Sequence, residues 1–168
     1  PRFAPRRRRW APAKTRTSTR RPAPMPGGSY DAGVRLLGRR AHSVRELRDK
    51  LIRRGHSADE VAATLERLTA RGYLDDAAYA KGLIERRSTS RGPRAMAAEL
   101  AAKGVDREAA RAALDGLNSD DQLGSAVEVA RRMLRSTPGE QPDLQRVGAR
   151  LLRRGFTMEV ARAALRRV

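Results

Sequence analysis

The chain has 168 residues and carries 37 Lys and Arg against 19 Asp and Glu, a net charge of +18. It contains no cysteine, which excludes a disulfide scaffold, a thiolate metal site and a cysteine nucleophile. Aromatic residues make up only 4% of it, so Leu, Val, Ile and Ala must build the core. The charge excess points to a polyanionic or acidic partner, although abundant Arg and Ala are also what a GC-rich coding sequence produces. No apolar run approaches the roughly 20 residues of a membrane span. The basic N-terminus lacks the apolar stretch of a secretory signal. The expectation is a soluble cytoplasmic protein. No window alternates like a strand, and the Ala-, Leu- and Arg-rich composition favours helix.

Residues 1–30 stand apart. They contain the run Arg6-Arg7-Arg8-Arg9 and the stretch Pro22-Ala23-Pro24-Met25-Pro26-Gly27-Gly28, and no acidic residue. Such a segment repels itself and buries too little apolar surface to offset its ordering entropy, so it reads as a disordered basic tail. Two roles stay open: a nonspecific nucleic-acid arm with Trp10 as a base-stacking group, or a passive extension.

From Asp31 onward the pattern is helical. The first predicted helix covers 31–40, with Val34 and Leu37 inward. Ser43-Val44-Arg45-Glu46 and Ser57-Ala58-Asp59-Glu60 read as capping boxes opening the next two. A helix over 75–88 buries Tyr79, Leu83 and Ile84, with Asp75 and Asp76 as dipole-favoured carboxylates at its start rather than metal ligands. Pro93 suits a first helical turn. A helix over 120–135 buries Leu123, Val127, Ala130 and Leu134. It is opened by a third box at Ser119-Asp120-Asp121-Gln122, in which Asp120 and Asp121 have the same capping role. Pro142 suits another first turn. Gly55, Gly72, Gly104 and Gly155 fall where helices should end in a left-handed residue. Gly82, Gly124 and Gly148 lie inside helices, each weakening its helix by about 1 kcal/mol relative to Ala, so modest stability and flexible joints are expected.

The strongest signal is an internal repeat. Gly55, Gly104 and Gly155 are each preceded by a leucine four residues back (Leu51, Leu100, Leu151) and by an apolar residue eight back (Leu47, Met96, Val147). A cation comes immediately before each (Arg54, Lys103, Arg154), and a leucine follows ten residues later (Leu65, Leu114, Leu165). Each unit is therefore a helix, a glycine stop and a second amphipathic helix, with a further helix in front. The prediction is an all-α, elongated and curved tandem array of three three-helix repeats, over 31–73, 74–118 and 119–168. Since one module buries little alone, packing between neighbours is expected to supply part of the core.

These motifs resemble the RecX family. The resemblance is carried by the stretch Ser43 to Gly55, by Leu65-Glu66-Arg67-Leu68-Thr69-Ala70-Arg71-Gly72-Tyr73-Leu74-Asp75-Asp76 followed by Ala77 to Ala80, by Arg91-Gly92-Pro93-Arg94 with Glu99-Leu100 and Ala102-Lys103-Gly104-Val105, and by Leu151-Leu152-Arg153-Arg154-Gly155-Phe156. It covers 32–168, in order and with the expected spacing. It implies a negative regulator that binds the RecA recombinase and its single-stranded-DNA filament, lowers ATPase and strand exchange, and limits filament growth. Two departures matter. The family does not generally carry the basic tail, and the middle repeat is rich in alanine (Ala95, Ala97, Ala98, Ala101, Ala102), which thins its cations.

The candidate RecA- and DNA-binding residues are Arg39, Arg40, Arg53, Arg54, Arg86, Arg87, Arg91, Arg94, Lys103, Arg131, Arg132, Arg135, Arg153 and Arg154. Each singly could be a solvated helix face. Arg54, Lys103 and Arg154 also suit the negative end of a helix. The repeated dibasic pairs Arg53-Arg54 and Arg153-Arg154 favour function. No Walker-type glycine loop and no nucleophile–base set is present, so the expectation is a monomeric non-enzyme without cofactor or metal. His42 and His56 lack partners at ligand spacing and read as structural or surface residues. Tyr30, Tyr73 and Tyr79 could stack bases, with Tyr73 and Tyr79 better placed to pack between helices. Two other functions compete: a general architectural DNA-binding protein acting without RecA, and an adaptor repeat protein whose arginine reflects genome composition.

Overall fold

The computed structural model describes residues 28–135 and 143–168. The basic arm with Trp10, and Pro142, lie outside the described residues. Among those described there are nine helices and no strand: α1 (Ser29–Leu37), α2 (Val44–Arg53), α3 (Ala58–Ala70), α4 (Asp76–Arg87), α5 (Pro93–Ala102), α6 (Arg107–Asp115), α7 (Ser119–Arg135), α8 (Leu144–Arg153) and α9 (Met158–Leu165). They form three consecutive three-helix units, α1–α3, α4–α6 and α7–α9.

The helix ends follow local chemistry. Ser57 and Glu60 form a complete capping box. Asp75, Asp106 and Asp143 each accept hydrogen bonds from free N–H groups in the first turns of α4, α6 and α8. All four predicted stop glycines have positive φ: Gly55 (91°), Gly72 (71°), Gly104 (69°) and Gly155 (87°). Each closes its helix in the same way. The residue after the glycine donates back to the last buried leucine, His56 to Leu51 (3.3 Å), Val105 to Leu100 (3.1 Å) and Phe156 to Leu151 (3.2 Å), and Tyr73 to Leu68 likewise.

Each unit has its own core. Ala32, Leu36, Leu47, Leu51, Val61, Leu65, Leu68 and Leu74 fill the first. Tyr79, Ala80, Leu83, Ile84, Met96, Leu100 and Val105 fill the second. Ala126, Val127, Val129, Ala130, Val147, Leu151, Phe156, Ala161 and Ala164 fill the third. The apolar packing expected between neighbours is replaced by a polar joint. Ser43, the N-cap of α2, donates its hydroxyl to the carbonyl of Lys103, just before Gly104. Gly92, the N-cap of α5, donates its N–H to the carbonyl of Arg154, just before Gly155, at 2.9 Å. The same end of one unit thus meets the same turn of the next, and carbonyls that a helix C-terminus leaves without partners gain donors from the neighbour.

Several expectations need correction. Ser29 and Tyr30 are helical, so the first helix begins before Asp31. The inward stripe of α1 is Ser29, Ala32, Gly33 and Leu36, and Val34 is 42% exposed, because α1 starts earlier and its face is set by the i, i+3, i+4, i+7 series from Ser29. Tyr73 does not pack between helices: it follows a left-handed glycine, which turns it outward at 61% exposure. Only half of the Ser43 box forms. Ser43 accepts from the Glu46 N–H, but the Glu46 carboxylate turns to Arg40 and Lys103. The box at Ser119 does not form: Asn118 accepts from the Asp120 N–H, and both amide atoms of buried Gln122 lack partners among the described residues.

Candidate polyanion interface

The basic residues gather in clefts between the first two helices of the outer units. The first cleft, of about 390 Å³, is lined by Leu36, Arg39, Arg40 and His42 from the end of α1 and its following loop, and by Lys50, Arg53 and Arg54 from the end of α2. The second, of about 540 Å³, is lined by Val129, Arg132 and Met133 from α7 and by Arg150, Arg153 and Arg154 from α8. Residues three and four apart share a helix face, so the second cleft is made by two helix faces turned toward each other, while in the first the α2 face meets the end of α1 and the loop after it.

Inside the first cleft the cations are held in place. His42 is buried, with Nδ1 2.8 Å from the Arg40 carbonyl and Nε2 2.8 Å from the Lys50 ammonium. The ammonium can only donate, so Nε2 accepts and Nδ1–H donates to the carbonyl: the imidazole is neutral. Burial pushes its pKa down, and the neighbouring Arg40 and Lys50 charges act in the same direction. Burial also lowers the Lys50 pKa. Arg40 makes a two-pronged contact with Glu46, at 2.6 and 3.1 Å, and Lys103 of the next unit reaches the same carboxylate at 3.4 Å. The hydrogen-bonded Arg40 guanidinium holds Glu46 down to about 2, with the Lys103 charge assisting.

Of the expected site residues, Arg39, Arg40, Arg53 and Arg54 come together in the first cleft and Arg132, Arg153 and Arg154 in the second. The rest do not join them. Arg87 pairs with Glu99 (3.1 Å), Lys103 with Glu46, and Arg131 with Glu128 (3.1 Å). Arg86, Arg91, Arg94 and Arg135 are exposed without a carboxylate partner among the described residues. Arg154 also donates to the Ser90 carbonyl across the joint (3.2 Å), so it serves both structure and cleft. The sequence reading missed Lys50 and Arg150. The signal was present: Lys50, Arg53 and Arg54 recur in the same spacing as Arg150, Arg153 and Arg154. Tyr30, one of the tyrosines read as base-stacking, carries Arg67 over its ring at 4.1 Å, and its hydroxyl accepts from Arg71. No group of His, Asp and Glu among the described residues could hold a metal ion, and no helix there is long and apolar enough to cross a membrane.

Three small helical units joined end to end, with basic clefts in the outer two, define a cationic all-α repeat protein. Comparison with known proteins then gives the family. A model described as RecX, first three-helix domain, matches residues 30–68, and one described as RecX, second three-helix domain, matches 75–114. The regulatory protein RecX of Mycobacterium marinum is 38% identical over 133 residues, 76% of this chain and 77% of that protein. That of Xanthomonas citri is 35% identical over 152 residues, 86% of this chain and 94% of that protein. The crystal structure of RecX from Lactobacillus salivarius matches with a TM-score of 0.73 at 20% identity, covering 83% of this chain and 93% of that one. The chain belongs to the RecX family of regulatory proteins.

Proposed function

We propose that this chain is a negative regulator of the RecA recombinase, acting by binding RecA and its filament on single-stranded DNA. Docked there, it inhibits ATP hydrolysis and strand exchange and limits filament growth. Family membership supports the regulatory role. The observation that carries the binding mode is the pair of open clefts whose cations Arg39, Lys50, Arg53, Arg132, Arg150 and Arg153 have no carboxylate partner among the described residues. Unpaired guanidinium groups raise the local positive potential and draw in acidic protein surface or phosphate. The repeats place these clefts on separate units, which suits contact with a polymer at more than one point.

The test is RecA ATPase on single-stranded DNA with the full chain titrated in, alongside a version starting at Gly28, where the described structure begins. Inhibition by both places the activity in the repeats. Inhibition lost with the arm places it in residues 1–27. Tight duplex binding with no effect of either version on RecA would overturn the proposal in favour of a general architectural DNA-binding protein.

A further inference from the structure

We infer that the first and third repeats each hold a phosphate group of a nucleic-acid backbone in a cleft of the same design, while the middle repeat is a spacer whose copy of that cleft is closed by its own ion pair. This rests on the reading of the protein as a partner of a nucleoprotein filament and specifies how the nucleic acid is held.

The two clefts correspond at five positions. At the end of α1 and in the loop after it, Leu36 and Arg39 match Val129 and Arg132 of α7: an apolar floor, then an arginine three residues on, with Met133 where the first cleft has Arg40. On the second helix, Lys50, Arg53 and Arg54 match Arg150, Arg153 and Arg154. Scattered arginine from genome composition would not return to the same places around the same pair of helices. Gathering like charges is unfavourable unless an anion enters between them. A phosphodiester oxygen pair suits several convergent guanidinium forks better than a point contact does. A backbone also offers phosphates at regular intervals, so two clefts on separate units can engage one strand without a partner evolved to match their spacing.

The middle repeat shows the converse. With α1 and α4 aligned on their starts and buried faces, its equivalent positions are Leu83, Arg86 and Arg87 on α4, and Glu99, Ala102 and Lys103 on α5. Glu99 stands where the outer repeats have Lys50 and Arg150, and it accepts from Arg87, the counterpart of Arg40, at 3.1 Å, while Ala102 stands where they have Arg53 and Arg153. Lys103 is turned to Glu46. Of the middle set only Arg86, the counterpart of Arg39 and Arg132, is left without a carboxylate partner among the described residues, and one exposed arginine makes no cleft.

The test is the salt dependence of full-chain binding to fluorescent oligo(dT). Each phosphate contact contributes about 0.7 to the slope of log affinity against log salt on a single strand. Arg39→Gln/Arg53→Gln and Arg132→Gln/Arg153→Gln should each flatten the slope by about 0.7. Arg91→Gln/Arg94→Gln, an equal charge change outside the clefts, should leave it in place. Glu99→Lys/Ala102→Arg should open a third cleft and steepen it by about 0.7, a gain that misfolding cannot mimic. Equal flattening by all three loss variants, no steepening in the gain variant, or a wild-type slope near zero would overturn the inference. The same variants are assayed on RecA ATPase. Wild-type inhibition with a flat slope sinks the clefts and leaves the regulatory reading standing. Normal slopes with no effect on RecA do the reverse.

Discussion

The N–H of Gly92 donates to the carbonyl of Arg154 at 2.9 Å, and this contact pins the second repeat to the third. The approach is so close that a Cβ on Gly92 would lie 2.2 Å from the Phe156 backbone nitrogen and 2.3 Å from the Gly155 carbonyl. Gly92 has φ of −84°, open to any residue, so glycine is required here by space and not by backbone conformation. Gly92→Ala is expected to break this joint, since backbone on both sides cannot move aside. Small-angle scattering should show a larger radius of gyration with an unchanged helical circular-dichroism signal. Gly116→Ala is the contrast: its Cβ would meet only the Ala113 carbonyl at 3.6 Å, with φ of −74°. It should be neutral or stabilise by about 0.4–1 kcal/mol.

Glu46 joins the first repeat to the second, because Arg40 and Lys103 both reach its carboxylate. Its folded pKa is depressed to about 2, chiefly by the hydrogen-bonded Arg40. An unfolded carboxylate titrates near 4.3, so the unfolded chain takes up a proton first as pH falls. The stability from this link is therefore present above about pH 4.3 and is lost as pH falls toward about 2. Glu46→Gln should lower the urea midpoint at neutral pH and flatten the acid limb over that window. An unchanged acid limb in the variant would show that Glu46 does not carry it.

Much of this fold was legible because its signals are local. Left-handed glycines, a complete Ser57–Glu60 box and the spacing of Leu51, Leu100 and Leu151 each depend on a few neighbouring residues. The joints were not legible. Whether Ser43 caps its helix with Glu46 as partner or releases that carboxylate to Lys103 depends on a residue sixty positions away. The register of α1 was misjudged because Ser29 and Tyr30 sit beside a Pro- and Arg-rich stretch that masks the helix start. In the clefts, Arg53 and Arg153 were readable from their repeated dibasic pairs. Lys50 and Arg150 were passed over as single cations, and only the packing of two helix faces shows that they complete the same sites.

His42 should make the first repeat sensitive to mild acid. Its imidazole is neutral between the Arg40 carbonyl and the Lys50 ammonium, and burial lowers its pKa below the usual 6.5. As pH falls through about 6.5 the unfolded chain protonates and the folded one does not, so stability declines until the folded pKa is passed. The groups facing the ring are Arg40, Lys50 and Glu46, and the two cations outweigh the carboxylate held by Arg40. His42→Gln should remove the decline between neutral pH and the acid limb set by Glu46. An NMR titration placing His42 at or above 6.5 would contradict this account.

The three apolar cores are separate, so damage to one should stay there. Phe156 is fully buried in the third core, at the position that Val105 holds in the second. In the first repeat His56 holds it, buried with Nε2 unpartnered among the described residues. Phe156→Ala removes the largest side chain of the third core and should cost about 3–5 kcal/mol. Because the joints are polar and no apolar cluster among the described residues joins the helices of two units, amide hydrogen exchange is expected to accelerate across α7–α9 while α2 and α3 keep their protection. His56→Phe should act in the opposite direction in the first repeat, replacing an unsatisfied polar atom with the apolar ring that the third repeat already uses. Equal acceleration in all repeats of the Phe156 variant would mean that the polar joints couple the array into one cooperative unit. In that case the joints, rather than the cores, would set its stability.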